Sequence, residues 1–374
     1  MRLEDEHQLG FDTGVTVPGQ TRWMPFEFIG EEGETEPNDF VEGLRLLAFS
    51  KQTGLSSVAI YVYNFNKSMD KKCFVNTDGD FLIVPQKGSM FVTTEFGRLD
   101  VVPNEILVIQ QGMKFSIDCY DNNDEDEDHF NRGYVLEVIG NHFELPYLGP
   151  IGANGLANPR DFSVPTAWVD ESDSLIHVTV WKLQNELFQT KQKYTHYDVA
   201  AWFGNYVPYK YNLENFVSVN SVSVDHPDPS IFTVLTCPSH GRPGTALADF
   251  VIFPPRWECA RGTFRPPYFH RNCMTEFMGL IKGQYQAKGE EFAPGGASLH
   301  QAMVPHGPDN KSYRKGVSAN TDEVSRVADG TMAFMFETSL QLKLTKWATK
   351  QKVDEDYQLC WRGLSDLDLR DIGT

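Results

Sequence analysis

The chain has 374 residues, 41% apolar and 13% aromatic, and its 33 basic and 51 acidic side chains give a formal charge of -18. That length and composition allow two domains with sizeable cores and exclude wholesale disorder. The acidic field disfavours nucleic acid and anionic membrane, so a site for a small anion needs local cations, and Arg265, Arg271 and Lys282 stand close together in the sequence.

No apolar run approaches the roughly 18 residues a membrane span needs, and the opening MRLEDEHQLGFDTG lacks the pattern of a secretory signal. The six cysteines form no CxxC pair, which fits neither a disulfide scaffold nor a zinc ribbon. The expectation is a soluble cytoplasmic protein in a reduced compartment.

In chain order, residues 1–20 form a polar, poorly ordered lead-in, and residues 21–212 form an N-terminal β-domain. SSVAIYVYNFN, DFLIVPQKG, MFVTTEFG, ILVIQQGMKFSID and YVLEVIGNHFEL are short β-branched and aromatic runs broken by Gly, Pro, Asn and Asp, the texture of a sandwich or barrel. Helical periodicity is scarce, with FVEGLRLLAFS, SDSLIHVTVWKLQNELF and the tail near Gln358 as candidates. The acidic run 121–131 reads as a solvated loop, because it lacks the spacing of a calcium loop. The Gly-, Asn- and Pro-rich stretch 149–162 reads as a long turn or linker. A second set of strands, FVSVNSVSV, SIFTVLTC, DFVIFPP and TMAFMFE, fills a C-terminal domain over 213–374, so the fold class is mainly β.

Five of the ten histidines (His226, His240, His270, His300 and His306) fall within 226–306. In FRPPYFHRNCMTEFMGLIKGQY, His270 and Glu276 are six apart, an even spacing that puts both on one face of a continuous strand or lets them converge across a bend. A further histidine, His300 or His306, then completes two imidazoles and one carboxylate. That is the ligand set of mononuclear non-haem Fe(II) sites, and zinc accepts it as well. Cys273 has no second cysteine at ligand spacing and reads as a packing residue. Tyr285, Tyr268 and Phe269 read either as core or as a surface that orients an aromatic substrate.

RPPYFHRNCMTEFMGLIKGQYQAK, PGGASLHQAMVPHGPD, ADGTMAFMFETSL, NTDGDFLIVPQKG and GPIGANGLANPRDF together resemble the homogentisate 1,2-dioxygenase family, from about Arg22 to about Trp361. The resemblance implies a cupin, or double-stranded β-helix, C-terminal domain joined to an N-terminal β-sandwich-like domain. It also implies Fe(II) held by His270, Glu276 and His306, with MVPHGPD selecting His306 over His300. His300 and Tyr285 would contact substrate, and His226 would act as the catalytic acid/base on a substrate hydroxyl. The implied reaction cleaves the ring of homogentisate with O2 to give 4-maleylacetoacetate, in tyrosine and phenylalanine catabolism, within a trimer or hexamer of identical chains. Family members carry further sequence ahead of the part that matches TRWMPFEF. Two alternatives accompany this reading: a cupin relative that binds without turnover, and a dioxygenase for a related hydroxylated aromatic acid.

Overall fold

The structure is a computed structural model that describes residues 14–26, 37–51, 56–120, 130–147, 157–171, 176–197, 206–218, 232–259, 261–262, 264–285, 287 and 292–364. Three sheets dominate it. A six-stranded sheet (Glu186–Gln192, His177–Leu183, Lys72–Asn76, Lys114–Cys119, Met90–Thr94, Gly97–Val101) covers one face of an eight-stranded sheet, whose middle strands are Asp80–Lys87, Asn131–Ile139 and Ser57–Phe65. The C-terminal six-stranded sheet runs in the order Thr21–Trp23, Ala297–His300, Thr275–Lys282, Met332–Thr338, Ala246–Phe253, Thr233–Pro238.

The eight-stranded sheet is the middle layer. Ala59, Tyr61, Tyr63, Phe81, Ile83 and Val135 pack in one core with residues of the N-terminal six-stranded sheet. Their neighbours Val58, Ile60, Val62, Leu82, Val84 and Leu136 pack in another core with Phe250, Phe277, Phe334 and Phe336 of the C-terminal sheet. Side chains alternate between faces along a strand, so a strand with a partner on each face must be apolar at nearly every position. All nine residues of Ser57–Phe65 are buried, and the uninterrupted run SVAIYVYNF follows from that placement.

Two segments cross between the sheets. Thr21–Trp23, at the start of the N-terminal region, pairs antiparallel with Ala297–Leu299 and extends the C-terminal sheet. Leu342–Leu344, far into the C-terminal half, pairs with Ala48–Ser50 of the eight-stranded sheet. Val15 bridges Leu344 through hydrogen bonds of 2.7 and 2.9 Å, so residues 14–20 of the expected lead-in are tied to the fold. Trp23 is buried and its indole donates to the Ala348 carbonyl at 2.9 Å.

The expected helices fare differently. In FVEGLRLLAFS only Phe40–Gly43 is helical, started by the Asp39–Glu42 capping box, and Leu44–Ser50 continues as a strand. HVTVWKLQNELF is a hairpin, His177–Leu183 paired with Glu186–Gln192, because Gln184 and Asn185 adopt positive φ and turn the chain. The tail forms a 3-10 turn over Tyr357–Trp361. Asn310–Val317, capped by the Asp309 side chain, is a helix that the periodicity did not suggest. The acidic run 121–131 lies outside the described residues except for Phe130 and for Asn131, which heads the strand Asn131–Ile139. FVSVNSVSV also lies largely outside them, as does 149–162 up to residue 156.

Candidate metal centre

Glu276 stands on Thr275–Lys282, the strand between Ala297–His300 and Met332–Thr338. Antiparallel register places it directly opposite His300 on one side and Glu337 on the other. His270 and His306 lie outside these strands, but their backbones form an antiparallel bridge. Each donates its N–H to the other's carbonyl, at 2.8 and 3.0 Å. Gly307, next to His306, presses against Phe269, and a Cβ on it would stand 2.6 Å from the Phe269 Cα, so the bridge needs a residue without a side chain there.

This arrangement gathers one donor atom each from His270, Glu276 and His306 within 4.8 Å of one another. His306 Nε2 is 2.7 Å from Glu276 Oε2, and His270 Nε2 is 4.0 Å from Glu276 Oε1. In both histidines Nδ1 faces a backbone carbonyl: Tyr268 at 2.6 Å for His270 and Val304 at 2.9 Å for His306. A carbonyl only accepts, so both rings carry their proton on Nδ1 and turn a bare Nε2 toward the carboxylate. The buried Nε2 of His306 has no aligned hydrogen bond despite its closeness to Glu276. Lone pairs meeting a carboxylate at that distance repel, and a cation among the three relieves the repulsion. The donor set fits a divalent metal.

The charge at the centre is set by its neighbours. Burial opposes the Glu276 charge, but hydrogen-bond donors facing it, His300 and the Asn272 amide among them, outweigh it and hold that carboxyl well below the usual carboxylate range. Asn272 donates to Glu276 Oε1 at 2.7 Å and to Glu337 Oε1 at 3.2 Å. Burial, with the nearby charges of Glu276 and Asp249, pushes Glu337 up to about 8, which leaves one carboxylate charge at the centre at neutral pH.

A cavity of about 290 Å³ opens on the three donors, walled by Phe232, Phe253, Met278 and Met335 and carrying Tyr285, His300, Arg256 and Arg265. Tyr285 is buried, and burial raises its phenol well above the usual range, so it faces the cavity protonated. Arg256, on the two-stranded ribbon of Arg256–Glu258 and Ser325–Val327, supplies a buried cation in an otherwise acidic protein.

The structure therefore brings together His270, Glu276, His306, His300 and Tyr285. His226 lies outside the described residues. His240 is exposed in a turn and is not among the residues that line the cavity at the centre. Cys273 is exposed, which removes the packing role expected of it, and Tyr268 and Phe269 are about half exposed, at 50% and 49%, so neither is core. Sequence reading did not single out Asn272, Glu337, Arg256 or Tyr357. Asn272 sits two residues after His270, and Glu337 ends the apolar run of TMAFMFE; a carboxylate directly after MAFMF could have been noticed on that ground.

Residues 2–213 match the family model described as Homogentisate 1,2-dioxygenase N-terminal, and residues 214–367 match Homogentisate 1,2-dioxygenase C-terminal. The homogentisate 1,2-dioxygenases of Mus musculus and Homo sapiens are 55% and 54% identical to the chain over 351 residues, which is 93% of this chain and 76% of each relative. That of Caenorhabditis elegans is 51% identical over 369 residues, 97% of this chain and 80% of the relative. Among solved structures, a mutant Bacillus subtilis oxalate decarboxylase aligns over 91% of this chain and 87% of its own, at a TM-score of 0.31 and 10% identity. With relatives more than half identical along most of its length and the two family models together matching residues 2–367, the chain belongs to the homogentisate 1,2-dioxygenase family.

Proposed function

We propose that the chain is an Fe(II) enzyme that opens the ring of homogentisate with O2 to give 4-maleylacetoacetate, and that His270, Glu276 and His306 hold the metal. The observation that carries this reading is the pair of bare Nε2 atoms directed at one buried carboxylate, at the end of a cavity large enough for a single aromatic ring. Bound Fe(II) supplies coordination positions for both reactants and a route for electrons from the electron-rich ring to O2.

The chain's own residues do the rest. The apolar walls of Phe232, Phe253, Met278 and Met335 grip the ring and exclude water. The substrate is an anion through its acetate group, and Arg256, Arg265 and the Tyr285 hydroxyl are the groups in the cavity suited to an anion. His300 supports the reaction from beside Glu276, and His226, by the family resemblance, exchanges the proton of a ring hydroxyl. A trimer or hexamer of identical chains, on the same resemblance, and a cytoplasmic location, on the scattered cysteines of a reduced compartment, complete the proposal.

Both atoms of O2 end in the product and no external reductant is needed. Turnover under 18O2 is expected to add two labelled oxygens to each product molecule, read by rapid quench and mass spectrometry. Incorporation of one or none contradicts the reaction.

A further inference from the structure

Three imidazoles meet around Glu276, and His300 stacks on His306 with ring centroids 4.3 Å apart and planes 21° from parallel. His270 and His306 turn Nε2 inward. His300 is reversed: its Nδ1 stands 3.9 Å from Glu276 Oε2, and its Nε2 points away, 2.8 Å from the hydroxyl of Tyr357. Tyr357 belongs to the C-terminal 3-10 turn and is nearly parallel to the His300 ring, at 6.0 Å and 17°.

A neutral imidazole carries one proton, and its position follows from the two partners. A carboxylate facing Nδ1 favours the proton there and repels a lone pair. Nε2 is then an acceptor, so the Tyr357 hydroxyl donates to it. Burial raises the Tyr357 phenol well above its usual range, which keeps it a donor. We infer that Tyr357 is a positioning residue that fixes His300 as the Nδ1–H tautomer. His300 thereby serves as a hydrogen-bond donor at the metal centre, while its two neighbours keep the bare nitrogen of a ligand.

The Tyr357 ring is itself held from several sides, and Ser298 lies beside its hydroxyl. Arg22, on the strand that crosses from the N-terminal region, lies over the Tyr357 ring at 4.4 Å from its centroid. Its guanidinium is paired with Asp354, with Nε donating at 2.7 Å, and the Arg22 carbonyl accepts the Asp354 backbone N–H at 2.8 Å. Trp361 packs on Tyr357 at 5.0 Å and donates its indole N–H to the carbonyl of Gly307, the neighbour of His306, at 3.2 Å. The tail and the crossing strand together form a brace that reaches the centre at the Tyr357 hydroxyl and at the Trp361 indole.

The role in catalysis rests on the dioxygenase reading, but the tautomer does not. The test is two-bond 1H–15N correlation spectroscopy of 15N-histidine-labelled, metal-free full-length protein, with His300 assigned by a His300→Gln variant. Wild type is expected to show His300 protonated at Nδ1. Tyr357→Phe is expected to show a mixture that includes Nε2–H, while Trp361→Leu, which disturbs the brace and keeps the hydroxyl, retains the wild-type pattern. In Fe(II)-loaded enzyme, Tyr357→Phe is expected to lower kcat by about 10- to 100-fold with metal content intact and KM for homogentisate little changed. Wild-type His300 protonated at Nε2 overturns the inference whether or not the variants fold, and so does a Tyr357→Phe spectrum identical to wild type. Absence of turnover in wild type, with the tautomers as assigned, overturns the dioxygenase reading and leaves this one standing.

Discussion

His270 and His306 are joined twice, through two backbone hydrogen bonds of 2.8 and 3.0 Å and through rings 4.5 Å apart that both point Nε2 at Glu276. The bridge sets their spacing before any metal arrives. The cost of ordering the ligands is thus met largely in folding, and metal binding can stabilise the folded state strongly.

A divalent metal at 100 times its Kd is expected to stabilise the wild-type protein by about 2.7 kcal/mol and raise Tm accordingly. His306→Ala removes one of the three proposed ligands and should abolish most of that rise, with bound iron falling in parallel. Thermal melts with and without a chelator check this. A metal-dependent rise of wild-type size in His306→Ala would show that the assignment is wrong.

Asn272 ties Glu276 to Glu337 with one amide. Asn272→Ala leaves Glu276 free to turn and Glu337 with one partner fewer. The expected outcome is metal affinity weaker by about 10- to 100-fold, measured by competition with a chromophoric chelator, in a protein that still folds. Affinity unchanged within twofold would remove Asn272 from the centre.

Glu337 carries a pH signature in the metal-free protein. Its folded pKa of about 8 lies above the ordinary glutamate value, so between roughly pH 4.5 and 8 the folded state holds a proton that the unfolded state has lost. Stability from this group is therefore complete below that window and declines as pH rises through it, by an amount on the order of 1–3 kcal/mol. Glu337→Gln should flatten the decline. Urea melts at pH 5 and pH 8 give the comparison, and equal pH slopes in the two proteins would contradict it.

Much of the candidate centre was legible in the sequence because its three donor residues occur in short stretches with few residue types competing for the role. His270 and Glu276 are six apart in an apolar run, and that pairing survives in the structure. The choice between His300 and His306 was not legible from spacing, because it depends on which ring nitrogen each backbone carbonyl or phenol engages. Tyr357 and Arg22 were hidden for a related reason: Tyr357 meets His300 across 57 residues of sequence, and Arg22 meets Asp354 across 332. Strand placement followed β-branched runs well. HVTVWKLQNELF failed because a two-residue turn at Gln184 and Asn185 outweighed a pattern compatible with helix.

The crossing strand makes the N-terminal region part of the C-terminal sheet, so damage there should be felt at the centre. Trp23 is 1% exposed and packs against Phe26 and Phe277. Trp23→Ala is expected to cost about 3–5 kcal/mol of stability and to lower metal affinity as well, because Arg22 beside it braces Tyr357. Chemical denaturation and metal titration of the same preparation check both effects. Stability lost with affinity intact would uncouple the strand from the centre.

The most direct measurement of the central claim is oxygen consumption by anaerobically prepared protein reloaded with Fe(II), with homogentisate as the limiting reactant and the product followed by its ultraviolet absorbance. One O2 consumed and one product formed per homogentisate is the predicted result, with no turnover in His306→Ala. Iron bound stoichiometrically at His270, Glu276 and His306, with homogentisate left unconsumed, would contradict it.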